Sequence, residues 1–392
     1  MLTFGALKNN PISFMRPILL LVISCMLMQW AFAQTRSTTQ TTVKGPAKEP
    51  VNVYAITDSL ALLVPESATH TTDGIAAYIS AHFKSDTDKT RAAFIWITHN
   101  IHYDVKNMFA INPYVSDAEK IRKVLDTRSG ICEHFSLLFQ QICSKVGIDC
   151  HIVSGYTRQK EYVDYIAHIW CAAKVQNKWF LFDPTWGAGS IINGTFVPSL
   201  KPQYYKAKGT ALMASHMPFD FIWQLLNYPV TGDAFYTMPV RPDSSHVYCQ
   251  YADSIKAMEQ MDTALQYATQ MRRLVSNGVK NTLCVTQLQY WRIKLQNLAV
   301  VDYNAGVMGF NKYIDYYNKQ FRPARPDAEI QGMLTQCTIQ LKAAADKLNI
   351  AEAQWEGLDE SGRALRRQIT DMQAKVKTQE EWLQQHFSKK AG

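Results

Sequence analysis

Residues 127–136 have the sequence Thr127-Arg128-Ser129-Gly130-Ile131-Cys132-Glu133-His134-Phe135-Ser136, in which a Ser-Gly turn is followed at once by a cysteine. Behind the cysteine, apolar residues recur at helical spacing up to Gly147, and they are Phe135, Leu138, Phe139, Ile142 and Val146. This pattern predicts a buried helix with Cys132 in its first turn. Free N–H groups and the positive end of the helix dipole favour the thiolate form of a cysteine there. Taken alone, a cysteine beside a helix is more often a small buried side chain, so the rest of the chain decides.

The composition is typical of a globular protein, with 47% apolar and 19% charged residues in a chain of 392. That length is enough for two domains. The net charge of +8 is spread along the chain, and no stretch of the sequence combines a dense Lys/Arg patch with stacking aromatic residues. The composition therefore argues against nucleic acid as a partner.

The N-terminus has the three parts of a secretory signal. Lys8 and Arg16 supply positive charge, residues 17–30 are apolar, and Ala31-Phe32-Ala33 is a small-x-small cleavage site. We predict a signal peptide over residues 1–33, cleaved after Ala33, and hence a secreted or periplasmic protein. The alternative is an uncleaved anchor, but the apolar run is short for a membrane span, so we expect no integral membrane segment after cleavage.

The remaining chain divides by composition into three parts. Residues 34–50 are rich in Thr, Ser, Lys and Pro and predict a disordered linker. Residues 51–248 predict a first globular domain with an irregular C-terminal extension, and residues 249–392 predict a helical domain. The chain has eight cysteines, and Cys25 leaves with the predicted signal peptide. The odd number of remaining cysteines indicates at least one free thiol. The sequence contains no CxxC spacing, so we do not expect a zinc site.

The periodicity around Cys132 changes from helical to alternating at Gly147. Upstream, helices are predicted from Asp73, from Ser85 or Asp86, and after a capping box at Ser116-Asp117-Ala118-Glu119. Downstream, strands are predicted over residues 148–156, 167–175 and 179–182, with a polar segment at 157–164 and a tight turn at 176–178. Helices followed by an antiparallel sheet indicate an α+β fold.

His168 begins one predicted strand and Asp183 ends the next. If the hairpin loop between them has an even number of residues, their side chains share a face, opposite each other or one diagonal step apart. Each also has a structural interpretation, since His168 could be a satisfied core histidine and Asp183 a turn cap before Pro184. Together, Cys132, His168 and Asp183 supply a nucleophile, a base and an orienting carboxylate, which are the parts of a cysteine acyl-transfer site.

Four motifs around these residues resemble those of the transglutaminase-like superfamily. They are Ile95-Trp96-Ile97-Thr98-His99-Asn100-Ile101-His102-Tyr103-Asp104, Gly130-Ile131-Cys132-Glu133, His168-Ile169-Trp170 and Phe182-Asp183-Pro184-Thr185-Trp186. The segment from His216 to Leu226 is similar to the region after the core in a branch of secreted bacterial proteins related to the kyphoscoliosis peptidase. The resemblance covers residues 73–240 and leaves the C-terminal helices unassigned.

The resemblance implies a papain-like α+β core, in which a helix bearing the cysteine packs on an antiparallel sheet bearing His and Asp. It implies Cys132 as nucleophile, His168 as general base and acid, and Asp183 as orienting carboxylate, with the Cys132 N–H in an oxyanion hole. Four further residues are candidates for lining the oxyanion hole or pocket: Trp96, Tyr103, His134 and Trp186. Core packing is the alternative for Trp96 and Tyr103. The sequence departs from the family beside the nucleophile, where His134-Phe135-Ser136 replaces the usual Gly, aromatic, Ala.

We therefore expect an exported cysteine enzyme that attacks peptide or glutamine amides of a protein or peptide substrate through a thioester, without cofactor or metal. Hydrolysis, as a peptidase or deamidase, is favoured, and a cross-linking transglutaminase is the alternative. A rival of another class is a catalytically silent binding or assembly module that recruits partners through its C-terminal helices. The last of those helices carries an apolar seam, which is formed by Leu365, Ile369, Met372, Val376, Leu383 and Phe387. This seam predicts core packing, with self-association or a protein partner as the sharper hypothesis.

Overall fold

The structure is a computed structural model that describes residues 52–109, 115–159, 162–237, 239–240 and 248–391. The predicted signal peptide and linker lie outside the described residues, so both stay predictions. Within the described ranges, no helix combines the length and the apolar character that a membrane crossing requires.

The helices that precede the main sheet are α1 (Ala55–Ala61), α2 (Thr72–His82), α3 (Asp86–Asn100), α4 (Asp117–Thr127) and α5 (Cys132–Lys145). Side-chain caps set their starts where the sequence predicts them. The Ser85 side chain accepts the Asp88 N–H at the start of α3, and Ser116 forms the predicted capping box with Glu119 at the start of α4. Two short strands, β1 (His102–Tyr103) and β2 (Ser129–Gly130), pair in parallel just before α5.

The main sheet has the strand order β5-β4-β3-β8, with every neighbouring pair antiparallel. Its strands are β3 (Cys150–Gln159), β4 (Tyr162–Val175), β5 (Lys178–Phe182) and β8 (His216–Pro218). The predicted turn between β4 and β5 is present, with positive φ at Gln176 and Asn177. The polar segment at 157–164 continues both strands instead of ending them. Polar side chains can pair across a solvated hairpin end, as the Thr157 hydroxyl does with the Asp164 carboxylate.

The C-terminal extension of the first domain, predicted to be irregular, contains regular structure. Its elements follow α6 (Pro184–Ala188), and they are β6 (Gly189–Ile192), β7 (Thr195–Pro198), α7 (Gly209–Leu212), the sheet strand β8 and α8 (Gly232–Tyr236). The turn between β6 and β7 is formed by Asn193 and Gly194, which both have positive φ. An Asn-Gly pair between two strands is a hairpin signal in the sequence. The edge strand β8 has only three residues, too few to show a period.

The C-terminal part consists of α9 (Tyr251–Glu259), α10 (Thr263–Asn277), α11 (Thr282–Asn318), α12 (Asp327–Glu352) and α13 (Glu360–Ala391). The Pro-rich segment 322–326 separates α11 from α12. Most of the predicted apolar seam on α13 is buried, from Leu365 to Leu383, which supports core packing as its structural role.

Side chains of the sheet enter two hydrophobic clusters. Cys171 and Phe182 pack in a cluster with residues of α3 and α5. Trp170, Ala172 and Leu181 pack in another cluster with residues of α9 to α12. A third cluster joins α11, α12 and α13 away from the sheet. The α+β core and the proximal part of the C-terminal helices therefore share buried surface. The predicted domain boundary at residue 248 stays a prediction.

Candidate active site

The backbone before Cys132 is held by the short β1–β2 pair. The Asp104 N–H donates to the Gly130 carbonyl at 2.8 Å, which sets β2 beside β1. Gly130 is required here, because a Cβ atom would come within 2.7 Å of the His134 Cβ. The chain then enters α5, whose first residue is Cys132, with its thiol partly exposed. At this position its N–H has no acceptor within the helix and is available to an oxyanion.

His134 caps the helix that carries the cysteine. Its Nδ1 accepts the Ile131 N–H at 3.0 Å, and Ile131 is the residue just before Cys132. Burial lowers the pKa of His134, which keeps the accepting nitrogen unprotonated. This hydrogen bond holds the ring of His134, a predicted pocket residue, against the first turn of α5 beside Cys132.

His168 and Asp183 lie together, as their predicted strand positions require. Cys171 pairs with Phe182 across β4 and β5, which places His168 and Asp183 one diagonal step apart on the same face. The His168 Nε2 donates to the Asp183 Oδ2 at 2.8 Å. The Cys132 thiol lies beside His168 and contributes to the shift of its pKa. Because Asp183 occupies Nε2, the ring nitrogen that faces the thiol is Nδ1.

Asp183 acts as a helix cap and as a partner of histidine at the same time. Its Oδ1 accepts the N–H groups of Thr185 and Trp186 at 2.9 and 3.0 Å, which caps α6 behind Pro184. Its Oδ2 is left for the imidazole. The structural and functional interpretations of this residue are therefore compatible, since each uses a different carboxylate oxygen.

The charges in the site follow from this geometry. Burial alone would lower the pKa of His168, but the Asp183 charge, its hydrogen bond and Cys132 outweigh burial and raise that pKa to about 10. Burial alone would raise the pKa of Asp183, but His168 and His216 hold it well below its usual range. The arrangement therefore stabilises an imidazolium beside a carboxylate, in reach of a thiol.

His216 is a member of the site that sequence analysis missed. Its Nε2 lies 3.0 Å from the same Asp183 Oδ2, and its Nδ1 lies 2.8 Å from the Ser215 hydroxyl. The ring is fully buried. Burial lowers the pKa of His216, although the hydrogen bond to Asp183 opposes this. A single histidine on a three-residue strand has no period or spacing to mark it, so only its place in the quoted post-core segment could have drawn attention to it.

The other predicted pocket residues lie at different depths. The Trp186 ring centroid lies 5.7 Å from that of His168 and 4.6 Å from that of His216. Burial raises the pKa of Tyr103, and the nearby charges of Cys132 and Asp183 raise it further, so its phenol faces the site. Trp96 is buried in the helical cluster, where the Arg128 guanidinium lies 5.2 Å from its ring centroid. These contacts support core packing for Trp96.

A potential metal-ligand cluster coincides with the hydrogen-bonded one. Within the described part of the chain, His168, Asp183 and His216 are the group whose ligand atoms lie within 4.8 Å of one another. Both imidazoles already lie at hydrogen-bonding distance from the carboxylate oxygen, at 2.8 and 3.0 Å. The geometry is that of two N–H donors sharing one acceptor.

A helix-borne thiol, an imidazole and a carboxylate on an antiparallel sheet are the residue types that a cysteine acyl-transfer site requires. Residues 73–184 match the family model of the transglutaminase-like superfamily. The chain thus carries a transglutaminase-like α+β core with an antiparallel sheet, followed by long C-terminal helices.

Parts of this chain are similar to known proteins. The kyphoscoliosis peptidase of Mus musculus is 30% identical over 153 residues, covering 37% of this chain and 23% of the mouse protein. Hillarin of Drosophila melanogaster is 24% identical over 204 residues, covering 46% of this chain and 24% of hillarin. The chain thus spans about a quarter of the length of these relatives. A crystal structure described as a TGase is similar at 16% identity, covering 59% of this chain and 53% of that chain with a TM-score of 0.27.

Proposed function

We propose that this chain is an exported cysteine enzyme that attacks peptide or glutamine amides through Cys132, His168 and Asp183. The observation that carries the proposal is the His168 imidazole, hydrogen-bonded to the buried Asp183 carboxylate, with the Cys132 thiol beside it. Such an order supplies a nucleophile, a base and a group that fixes the base. Export is proposed from the signal-like N-terminus alone, and the bacterial secreted branch from the resemblance of the motifs.

The reaction divides into acylation and deacylation. In acylation, His168 holds the proton of the Cys132 thiol as an imidazolium, and the sulfur attacks the amide carbonyl carbon. The resulting oxyanion accepts a hydrogen bond from the Cys132 N–H. The C–N bond then breaks as the imidazolium returns the proton to the leaving nitrogen, and a thioester remains on Cys132.

In deacylation, His168 takes a proton from the acceptor, whose oxygen or nitrogen attacks the thioester carbonyl. The C–S bond breaks and the proton goes to the sulfur, so the free thiol is restored. Water as acceptor gives a peptidase or a deamidase, and an amine gives a cross-link. We favour hydrolysis, since the mouse relative is named a peptidase and the Cys132 thiol is partly exposed.

The test is incubation of the full chain with a casein-type protein, with and without a labelled primary amine. We expect peptide cleavage or ammonia release, and little amine incorporation. Cys132→Ala should abolish the activity, while the matched control Cys249→Ala, which removes a thiol outside the site, should retain it. Label incorporation at the expense of hydrolysis would favour the transglutaminase alternative. An inactive wild type, indistinguishable from Cys132→Ala, would favour the binding module and contradict an enzyme.

A further inference from the structure

We infer that His216 is a positioning residue of the acyl-transfer site, which holds the Asp183 carboxylate in place and thereby orients the His168 ring. This inference rests on the proposed function and adds a fourth residue to it. The two imidazoles approach the same oxygen, at 2.8 Å from His168 and 3.0 Å from His216. The other oxygen is fixed by two backbone N–H groups of α6. Asp183 is thus held by four donors, of which only the one from His168 belongs to the predicted triad.

The second imidazole is held as a neutral donor. Burial keeps the pKa of His216 low, while the pKa of His168 is raised, so the positive charge of the pair resides on His168. A neutral imidazole that donates from Nε2 must accept at Nδ1. The Ser215 hydroxyl lies 2.8 Å from Nδ1, closer than its other acceptor, the Leu212 carbonyl at 3.4 Å. Ser215 therefore selects the His216 tautomer that Asp183 needs.

Several ionisable groups surround the two imidazoles. His216 faces His168, Asp183 and, at longer range, Asp164 on β4, and the Tyr204 ring lies 6.0 Å from its own. On the other side, Cys132 faces His168 and Tyr103 faces Asp183. The pKa of Tyr204 is raised to about 12 by burial and by Asp183. Both tyrosines therefore stay neutral through the neutral pH range, so the charges that matter are those of Cys132, His168, Asp183 and Asp164.

Aromatic rings enclose His216. Its ring packs edge-on against Trp186 and Trp170, with centroids 4.6 and 5.2 Å apart. If the His216 N–H were removed, Oδ2 would keep His168 as its only imidazole donor. A carboxylate that loses one of its donors is free to rotate toward other partners. Such a rotation weakens its hydrogen bond to the His168 imidazolium.

The fold fixes His216 from two sides. On one side, β8 pairs with β3, and His216 lies opposite Thr157. The close approach of β3 to β8 requires glycine at position 155, because a Cβ there would come within 2.1 Å of the Met217 carbonyl oxygen. On the other side, Asp220 accepts two hydrogen bonds from Arg273 of α10, at 2.6 and 2.7 Å. The C-terminal helices thus anchor the segment that carries His216.

The test compares two variants of similar size, His216→Gln and His216→Met, in the full chain. Glutamine retains an N–H donor at the end of its side chain, and methionine does not. The readout is the rate of Cys132 alkylation by iodoacetamide as a function of pH, which needs no known substrate. We expect His216→Met to slow alkylation near neutral pH about tenfold and to move its acidic limb up by about one pH unit, the size of one lost hydrogen bond to a charged group. His216→Gln should restore most of both.

A weaker variant covers the case in which His216→Met does not fold. Ser215→Ala removes only the donor to Nδ1, so we expect a change of a few-fold in the same direction. Wild-type behaviour in His216→Met, or equal loss with an unmoved pH profile in His216→Met and His216→Gln, would overturn the inference. Slow alkylation of Cys132 already in the wild type would instead contradict the proposed function, so the two failures are distinguishable.

Discussion

The sheet around Asp183 and the distal ends of the C-terminal helices are stabilised by opposite means. Around Asp183, a few directional hydrogen bonds fix each group, and a buried carboxylate uses both oxygens. At the distal ends of α11 to α13, apolar side chains such as Leu334 and Val376 are buried in a cluster of their own. Losing one polar group in the first region should change chemistry more than stability, whereas losing one side chain in the second should change stability alone.

The largest effect should come from Asp183→Asn. The two backbone donors at Oδ1 require an oxygen there, so the new NH₂ group must take the Oδ2 position and face both imidazoles. His168 must then accept at Nε2 and carry its proton on Nδ1, which turns an N–H toward the thiol. We expect turnover to fall by roughly 10³–10⁴, the loss typical of a wrong histidine tautomer, as measured by steady-state kinetics.

The control for Asp183→Asn is Asp164→Asn, which alters a carboxylate of β4 that binds Thr157 and Gln159 instead of the imidazole. It should keep activity within a few-fold of the wild type. Equal losses in the two variants would mean that net charge, and not the tautomer of His168, explains the effect.

The next effect separates the two regions by stability. Leu288 belongs to the cluster shared with the sheet, and Leu334 to the distal cluster, and both are fully buried. Each change to Ala should cost about 2–5 kcal/mol of local stability. By hydrogen exchange, Leu288→Ala should raise exchange in β3 to β5 as well as in the helices, and Leu334→Ala only in α11 to α13. Raised exchange of the sheet in Leu334→Ala would show that the two regions unfold as one.

A smaller and pH-dependent effect concerns His168. Its folded pKa, about 10, lies above its ordinary value of 6.5, so its contribution to stability is complete below pH 6.5 and is lost as the pH rises through about 10. The wild type should therefore lose more stability over this interval than His168→Gln, which lacks the titrating group. Urea unfolding of both proteins at a series of pH values measures the difference, and parallel curves would contradict the charge assignment.

The smallest effect should come from Ser116→Ala, at the capping box of α4. It should cost about 1 kcal/mol and leave turnover unchanged, because its hydrogen bonds end within α4 at Glu119. Thermal unfolding and steady-state kinetics measure the two quantities. A loss of turnover would show that α4 takes part in positioning the turn before Cys132.

Some residues of the hydrogen-bonded site could be predicted from the sequence, and others could not. Cys132 was predictable because a turn and a helical period meet at it, and His168 with Asp183 because strand alternation fixes their common face. His216 lies on a strand too short for a period, brought to Asp183 by tertiary pairing with β3. His134 was expected near the pocket, and its capping bond to Ile131 appears only once the helix start is known.

The sequence predicted the helices of the C-terminal region but not the surfaces that they contact. Apolar spacing shows which face of a helix is buried, as at Leu365 and Ile369, but not which partner covers it. One contact between α10 and the segment that follows β8 is the ion pair of Arg273 with Asp220. An ion pair between residues so distant in the chain has no local sequence signature, so the anchoring of β8 is visible only in the fold.

The most direct test of the central claim is competitive alkylation of the seven cysteines beyond the predicted signal, which the structure describes as free thiols. At about pH 6, limiting iodoacetamide should label Cys132 first, because its thiol is partly exposed at the start of α5 and lies beside the His168 imidazole. Peptide mass spectrometry identifies the site. We expect dominant labelling of Cys132 in the wild type and its loss in His168→Gln. Labelling of Cys132 that is no faster than that of Cys249, or is unchanged in His168→Gln, would contradict a reactive thiolate–imidazolium pair.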